Sequence, residues 1–168
     1  MGKITIKQGD ITREEVDVIV NAANTGLAGG GGVDGAIHGA AGPSVMKECR
    51  KIGGCPTGSA VMTGAGDLPA KKVIHTPGPV WYGGNRGEEE ILRNSYMNSF
   101  SLAEKNGLRT IAFPAISAGV YRYPVEEAAR IALEEGLRVL DDFDEIRYIC
   151  FSEEHYRIYK EVYETLTK

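Results

Sequence analysis

The sequence predicts an α/β fold in which a mixed, mostly parallel sheet of about six strands lies between two layers of helices. Short apolar runs rich in β-branched or aromatic residues alternate with segments of helical periodicity. Runs that are apolar at nearly every position are typical of strands covered on both faces. The 168 residues, of which 42% are apolar, suffice for one domain with a substantial core. We therefore expect a single three-layer α/β/α domain over residues 1–168.

These patterns place six strands and three long helices. The expected strands are 4–7, which alternates and suits an edge, and then 60–63 and the four apolar runs 16–20, 72–76, 110–114 and 146–151. The expected helices are 87–106, a second that Pro124 opens, and a third that starts after Ser152. In such folds ligands bind beyond the carboxyl ends of the strands, so the loops that follow the strands are the candidate sites.

Composition excludes several functional classes. The formal charge of −4 gives no general attraction for nucleic acid or anionic membranes. No apolar run approaches the roughly 18 residues that a membrane span needs. Three cysteines (Cys49, Cys55 and Cys150) form no CxxC pair, so we expect a reducing, cytoplasmic compartment. The histidines and cysteines show no zinc spacing, so neither a metal site nor a cofactor is predicted unless the fold gathers these residues.

Glycine is concentrated in one stretch of the chain. Thirteen of the 22 glycines fall between Gly26 and Gly66, and Lys and Arg are absent from Glu14 through Met46. Residues 30–35 match GxGxxG, but no strand ends close before them and position 55 is not an acid, which disfavours a dinucleotide fingerprint. Four consecutive glycines that feed a helix favour a backbone loop for an anion. The alternative is a structural turn with Asp34 as helix cap.

Other polar residues follow predicted strands. Asp10 follows the first strand and can accept from an amino group or cap a short turn. Asn21 and Asn24 follow the second strand, where one amide suffices for a turn. The loop 114–121 is either a second phosphate cradle or an ordinary strand-to-helix connection. His38 lies four residues after Asp34, which places both on one helix face.

Five segments, taken in order, resemble the macrodomain family, and most closely its MacroD-type branch. They are residues 9–12, 18–24, 29–43, 55–58 and 114–121. Each motif alone is weak, but their common order and spacing are specific, and the resemblance extends from about Gly9 to the final helix. It implies a three-layer macrodomain that binds ADP-ribose.

The resemblance also implies how ADP-ribose is held. Asp10 would accept from the adenine amino group, the backbone of Ile11 would lie beside it, and Phe151 would flank the ring. Two loops would hold the diphosphate through backbone N–H groups. Their residues are Gly30, Gly31, Gly32 and Val33, and Ser117, Ala118, Gly119, Val120 and Tyr121. Arg122 departs from the branch, many members of which have glycine there, and leaves open how closely the second loop follows the pattern.

At the distal ribose the resemblance implies a catalytic group. Asn24 and Asp34 would face this ribose, and His38 would support Asp34. The branch hydrolyses esters of the distal ribose, as in O-acetyl-ADP-ribose and ADP-ribosylated acidic side chains, so the expected partners are ADP-ribose, its esters and ADP-ribosylated proteins. The alternatives are a module that only binds ADP-ribose and a phosphatase for ADP-ribose 1″-phosphate. Asn24 together with Asp34 favours the esterase, because a module needs only the adenine and diphosphate contacts.

Overall fold

The computed structural model describes residues 2–168 as one six-stranded sheet with five α-helices. The strands are β1 (Lys3–Gln8), β2 (Val16–Ala22), β3 (Val61–Gly64), β4 (Ala70–Thr76), β5 (Thr110–Phe113) and β6 (Glu145–Cys150). The helices are α1 (Gly32–Ala41), α2 (Pro43–Ile52), α3 (Glu88–Lys105), α4 (Val125–Arg138) and α5 (Glu153–Leu166). Short 3-10 helices cover Ile11–Arg13 and Leu140–Asp142. Among these described helices, none combines the length and the apolar character needed to cross a bilayer.

The sheet separates two hydrophobic clusters. Its strand order is β1-β6-β5-β2-β4-β3, with all neighbours parallel except β3 and β4. Helices α3, α4 and α5 pack on one face, where Tyr96 and Phe100 are buried against Phe113. Helices α1 and α2 pack on the other face, where Ile37 and Val45 are buried. The predicted three-layer α/β/α fold is therefore confirmed.

The six predicted strands are all present, with ends that differ by at most two residues from the expected ones. The central strand β2 explains why the pattern was readable: Val18, Ile19 and Val20 are all fully buried, because helices cover both faces. Helix α2 was not predicted. It begins at Pro43 and ends at Ile52, and the next residue, Gly53, has a φ of +86° that terminates the helix. The surrounding glycine-rich sequence hides this short amphipathic segment.

The sheet also contains a point at which neighbouring strands lead in opposite directions. From β2 the chain passes through α1 and α2 to β3 and β4 on one side. From β5 it passes through α4 to β6 on the other side. Because β2 and β5 are adjacent and parallel, their departing loops leave a crevice at the carboxyl ends of the strands, where α/β proteins bind ligands.

Candidate active site

The glycine loop ends in a helix without a side-chain cap. Helix α1 begins at Gly32, and Gly31 occupies the N-cap position with no side-chain hydrogen bond. The φ of Gly32 is +57°, and that of Gly29 is +81°, which are backbone conformations that favour glycine. Asp34 lies inside the helix, so it is not the cap that the alternative interpretation required. The first N–H groups of α1 and the positive end of its dipole are thus open to an anion, which favours the anion-loop interpretation.

The second loop, residues 114–121, also presents bare backbone. Within the described chain, the only N–H of residues 117–121 that donates to a protein atom is that of Ala118, which bonds the Ala115 carbonyl at 3.3 Å. The other four N–H groups are those of Ser117, Gly119, Val120 and Tyr121. The Val120 side chain is 92% exposed, so it does not cover them. The loop therefore offers a row of backbone donors on the β5 side of the crevice.

Close packing fixes the shape of this second loop. A Cβ on Gly78, which follows β4, would collide with the side chain of Ser117. The N–H of Trp81 donates to the carbonyl of Tyr121 at 2.9 Å. Arg122 is exposed and has a φ of +64°, a conformation that costs a non-glycine residue roughly 1 kcal/mol. That φ is the physical reason why glycine suits this position, and arginine is tolerated there because the conformational free-energy cost is small.

Asp34 is held by one carboxylate oxygen and faces the glycine loop with the other. Its side chain is nearly buried, and the residue is 7% exposed. Oδ1 accepts from Asn21 Nδ2 at 2.7 Å and lies 3.4 Å from His38 Nε2. Oδ2 lies 3.5 Å from where a Cβ on Gly30 would stand, and Asn24 Nδ2 lies 3.9 Å from the same point. Asp34 and Asn24 therefore flank Gly30, and the predicted helix face shared by Asp34 and His38 is present.

The Asn24 amide also holds its own loop. Its Nδ2 donates to the Gly29 carbonyl at 2.8 Å, and its Oδ1 accepts from the Ala28 N–H at 3.0 Å. Asn24 is thus the asparagine that serves the turn, whereas Asn21 points into the core. A side chain that both shapes the glycine loop and borders Gly30 links the geometry of the loop to that of Asp34.

A buried polar network behind Asp34 was missed by the sequence analysis. Asn21 and His75 are register partners on β2 and β4, and Asn21 Nδ2 lies 3.1 Å from His75 Nδ1. His75 Nε2 lies 2.9 Å from Thr63 Oγ1, which donates to the Gly64 carbonyl at 2.9 Å. Burial, and then the nearby His38, lower the pKa of His75 to about 4. The signal in the sequence was one polar residue next to the apolar run of each of two strands, Asn21 in β2 and His75 in β4. Only the register of these strands shows that the two residues are neighbours.

The fold does gather three of the scattered histidines and cysteines. Donor atoms of His38, Cys49 and His75 lie within 4.8 Å of one another. Both ring nitrogens of His75, however, already lie at hydrogen-bond distance from Asn21 and Thr63. Burial and the Asp34 charge raise the pKa of the Cys49 thiol, so it is not a ready thiolate ligand. We therefore assign no metal site to this cluster.

The residues expected at adenine lie after two neighbouring strands. Asp10 follows β1 and Phe151 follows β6, and the two strands are paired in parallel. Asp10 Oδ1 accepts from the N–H and the hydroxyl of Thr12 at 3.0 and 2.6 Å, so it does cap a turn, namely the 3-10 helix. These bonds lower the pKa of Asp10, which keeps it ionised. Phe151 is 91% exposed, and the Ile11 side chain is buried beneath this corner.

Residues 20–132 match the model of the family described as Macro domain. The chain belongs to the Macro domain family. The match spans both loops and Asp34, so it includes the crevice described above.

This macrodomain is similar to several curated proteins and solved structures. It is 51% identical to the O-acetyl-ADP-ribose deacetylase of Escherichia fergusonii over 94% of this chain and 93% of that protein. It is 50% identical to the O-acetyl-ADP-ribose deacetylase of Escherichia coli K12 over 94% of this chain and 93% of that protein. A mutant Oceanobacillus iheyensis macrodomain with ADPR superposes with a TM-score of 0.93 and 44% identity, over 96% of this chain and 92% of that one. The Trypanosoma brucei macrodomain in complex with ADP-ribose gives a TM-score of 0.89 at 44% identity, over 94% of this chain and 68% of that one.

Proposed function

We propose that this macrodomain binds ADP-ribose and hydrolyses the ester bond of O-acetyl-ADP-ribose. The observation that carries the proposal is the placement of Asp34, whose anchored Oδ1 leaves Oδ2 at the glycine loop beside Asn24. Relatives at about half identity are named for this deacetylation, and a solved macrodomain of the same fold contains ADPR.

Binding rests on backbone groups. The diphosphate lies between the N-terminal N–H groups of α1 and the bare N–H groups of residues 117–121, which suits two negative charges in a loop without cations. Adenine lies at the other end, where Asp10 accepts from its amino group and Phe151 covers a ring face. The distal ribose then reaches Asn24 and Asp34.

Hydrolysis needs a placed water and a group that takes its proton. Asp34 Oδ2 orients a water toward the acyl carbon and accepts a proton as the carbon–oxygen bond forms. The ester bond to the ribose oxygen then breaks, that oxygen is protonated, and acetate and ADP-ribose are the products. Asn24 fixes the distal ribose during this step. A negatively charged Asp34 disfavours a terminal phosphate in the same place, which argues against the 1″-phosphatase alternative.

The test is a single-turnover assay with O-acetyl-ADP-ribose beside a calorimetric titration with ADP-ribose. We expect acetate release and a saturable binding heat, with ADP-ribose preferred to NAD. Binding without release of acetate would establish a pure binding module instead. Faster release of phosphate from ADP-ribose 1″-phosphate than of acetate would establish the phosphatase.

The same chemistry extends to a larger substrate. We infer that ADP-ribosylated acidic side chains are also hydrolysed, because they join ADP-ribose through the same kind of ester. Incubation with a protein mono-ADP-ribosylated on glutamate should release free ADP-ribose, and retention of the label would contradict this extension. We further infer that residues 1–168 act as one domain in the cytoplasm, which the three free thiols support.

A further inference from the structure

We propose that His75 is a positioning residue of the active site, which acts through Asn21 to hold Asp34 in its working orientation. His75 is 1% exposed and lies one side chain away from the carboxylate, so it touches no ligand. The inference rests on the proposed function, because it assigns a task to Asp34 in turnover. It follows from the hydrogen atoms that the buried network can supply.

The Asp34 carboxylate fixes the orientation of the Asn21 amide. One amide atom of Asn21 lies 2.7 Å from Asp34 Oδ1 and 3.1 Å from His75 Nδ1. If this atom were the amide oxygen, it would face a carboxylate oxygen at 2.7 Å with no hydrogen between them. It must therefore be the nitrogen, which donates one hydrogen to Asp34 and the other toward His75.

The amide orientation then fixes the tautomer of His75. Because Asn21 donates toward Nδ1, that nitrogen must be bare, and the ring proton of neutral His75 must sit on Nε2. Nε2 lies 2.9 Å from Thr63 Oγ1, which accepts a hydrogen bond from the Nε2 proton and donates its own hydrogen to the Gly64 carbonyl. Each of these hydrogens has one acceptor, so the donations are fixed: Asn21 donates on one side to Asp34 and on the other side toward His75, which donates to Thr63.

This arrangement of hydrogen bonds explains why one carboxylate oxygen of Asp34 is held in place. With Oδ1 held by Asn21 and close to His38, the carboxylate cannot rotate without losing a buried bond, and Oδ2 stays at Gly30. His75 Nδ1 is the second acceptor of Asn21 Nδ2, so it holds the position of this amide nitrogen together with the Asp34 carboxylate. Loss of the His75 Nδ1 acceptor should leave the glycine loop and residues 117–121 unchanged but shift the Asp34 carboxylate from its working position.

The first test needs no activity. Long-range proton–nitrogen NMR of the labelled parent protein at neutral pH should show His75 with a bare Nδ1 and a protonated Nε2. A proton on Nδ1 would overturn the inference, whatever the enzyme does. This experiment also stands if every His75 variant fails to fold.

The second test uses two replacements of His75, each of which places an amide group near one of the two ring nitrogens. His75→Asn places an amide oxygen near the position of Nδ1, whereas His75→Gln places its amide near Nε2 and leaves the second hydrogen of Asn21 Nδ2 without an acceptor. We expect His75→Asn to keep kcat within about threefold of the parent, and His75→Gln to lose about 10- to 100-fold. Both should bind ADP-ribose within about threefold of the parent.

Tyr148→Phe is the matched control. It removes a buried hydrogen bond, from the Tyr148 hydroxyl to the Ala132 carbonyl on the other face of the sheet. It should lower the melting temperature and leave kcat unchanged. Equal kcat losses in His75→Asn and His75→Gln, or a loss in Tyr148→Phe of similar size, would reduce His75 to a structural role. If the parent hydrolyses no ester while NMR shows the expected tautomer, the proposed function fails and the hydrogen-bond assignment stands.

Discussion

At the scale of single residues, Asp34 should matter much more for the rate of hydrolysis than for the affinity for ADP-ribose. Asp34→Ala should slow hydrolysis of O-acetyl-ADP-ribose by about 10²–10⁴-fold, the usual range for general acid–base assistance. ADP-ribose affinity should change far less, because the adenine and diphosphate contacts lie elsewhere. Asn24→Ala should also slow turnover, and it should weaken binding as well, because the Asn24 amide bonds the backbone of the glycine loop. Single-turnover rates beside titrations check both variants.

Asp17 supplies the control for this prediction. Its Oδ2 accepts from the N–H groups of Arg109 and Thr110 at 2.8 and 3.2 Å, near the amino ends of β2 and β5. Asp17→Asn should lower stability, since these bonds hold two strands, and leave turnover unchanged. A parent-like rate in Asp34→Ala, or an equal loss in Asp17→Asn, would remove Asp34 from the mechanism.

Asp10 is both a cap and the predicted adenine acceptor, so alanine alone confuses the two roles. Asp10→Asn keeps one oxygen to accept from Thr12 and replaces the other by a donor. We expect Asp10→Asn to weaken ADP-ribose binding by about 1.5–3 kcal/mol, as for a lost charged hydrogen bond, with little change in melting temperature. Calorimetry measures the affinity. Parent-like binding by Asp10→Asn would mean that the cap is the whole role of Asp10.

Some of these residues were predictable from sequence and others were not. The pairing of Asp34 with His38 is local, because residues four positions apart on a helix lie on the same face. Asn21 and His75 are separated by 54 residues and meet only through the register of β2 and β4. Pairing between distant strands cannot be deduced from one strand alone, so the network behind Asp34 was invisible to the sequence.

At the scale of elements, the glycine loop and the start of α1 act as one anion site. A glutamate there would fill the space for the diphosphate and repel its charge. Gly32 is a poor place for this test, because its φ of +57° strains any side chain. Gly31 has a φ of −94° and open space around its Cβ direction, so Gly31→Glu should fold normally and lose ADP-ribose binding.

Gly39→Glu is the matched control on the same helix. The Cβ of residue 39 would also meet open space, and the residue lies two turns further along α1. It should bind ADP-ribose as the parent does. Calorimetry on both variants, with circular dichroism to verify folding, checks the prediction. Unimpaired binding by a folded Gly31→Glu would exclude the loop from the site.

The elements themselves followed from sequence where burial is continuous. Strand β5 was recognisable because Ile111, Ala112 and Phe113 are all fully buried. Helix α5 was recognisable because Ser152 accepts from the His155 N–H as an N-cap. Helix α2 was missed because glycines flank it and its buried face rests on only Val45 and Cys49. The segment is amphipathic, but it is only ten residues long, and so short a helix depends on tertiary packing for its stability.

At the scale of the whole molecule, His75 makes stability depend on pH. Its pKa is 6.5 in an unfolded chain and about 4 in the folded protein. Between these values the unfolded chain binds more protons, so stability is full above pH 6.5 and falls as the pH drops toward 4. At about 1.4 kcal/mol per pH unit, the loss attributable to His75 approaches about 3 kcal/mol.

Urea unfolding at stepped pH values measures this dependence. The parent should lose stability over this interval, and His75→Asn should lose less, because asparagine does not titrate. His38, Asp34 and Cys49 face His75 and are present in both proteins, so the difference isolates the imidazole. Identical pH slopes in the two proteins would show that His75 titrates normally in the folded state.

The absence of Lys and Arg from Glu14 through Met46 affects the association rate of ADP-ribose. Backbone dipoles act over the first turn of a helix, whereas side-chain cations attract a dianion over a Debye length. A molecule with a formal charge of −4 therefore gives ADP-ribose no long-range pull toward this loop. Stopped-flow association rates should stay flat or rise slightly as salt increases, and a steep fall would reveal cationic steering. The encounter therefore occurs by diffusion, and the attraction of the diphosphate begins only at short range, where it meets the backbone N–H groups of the glycine loop.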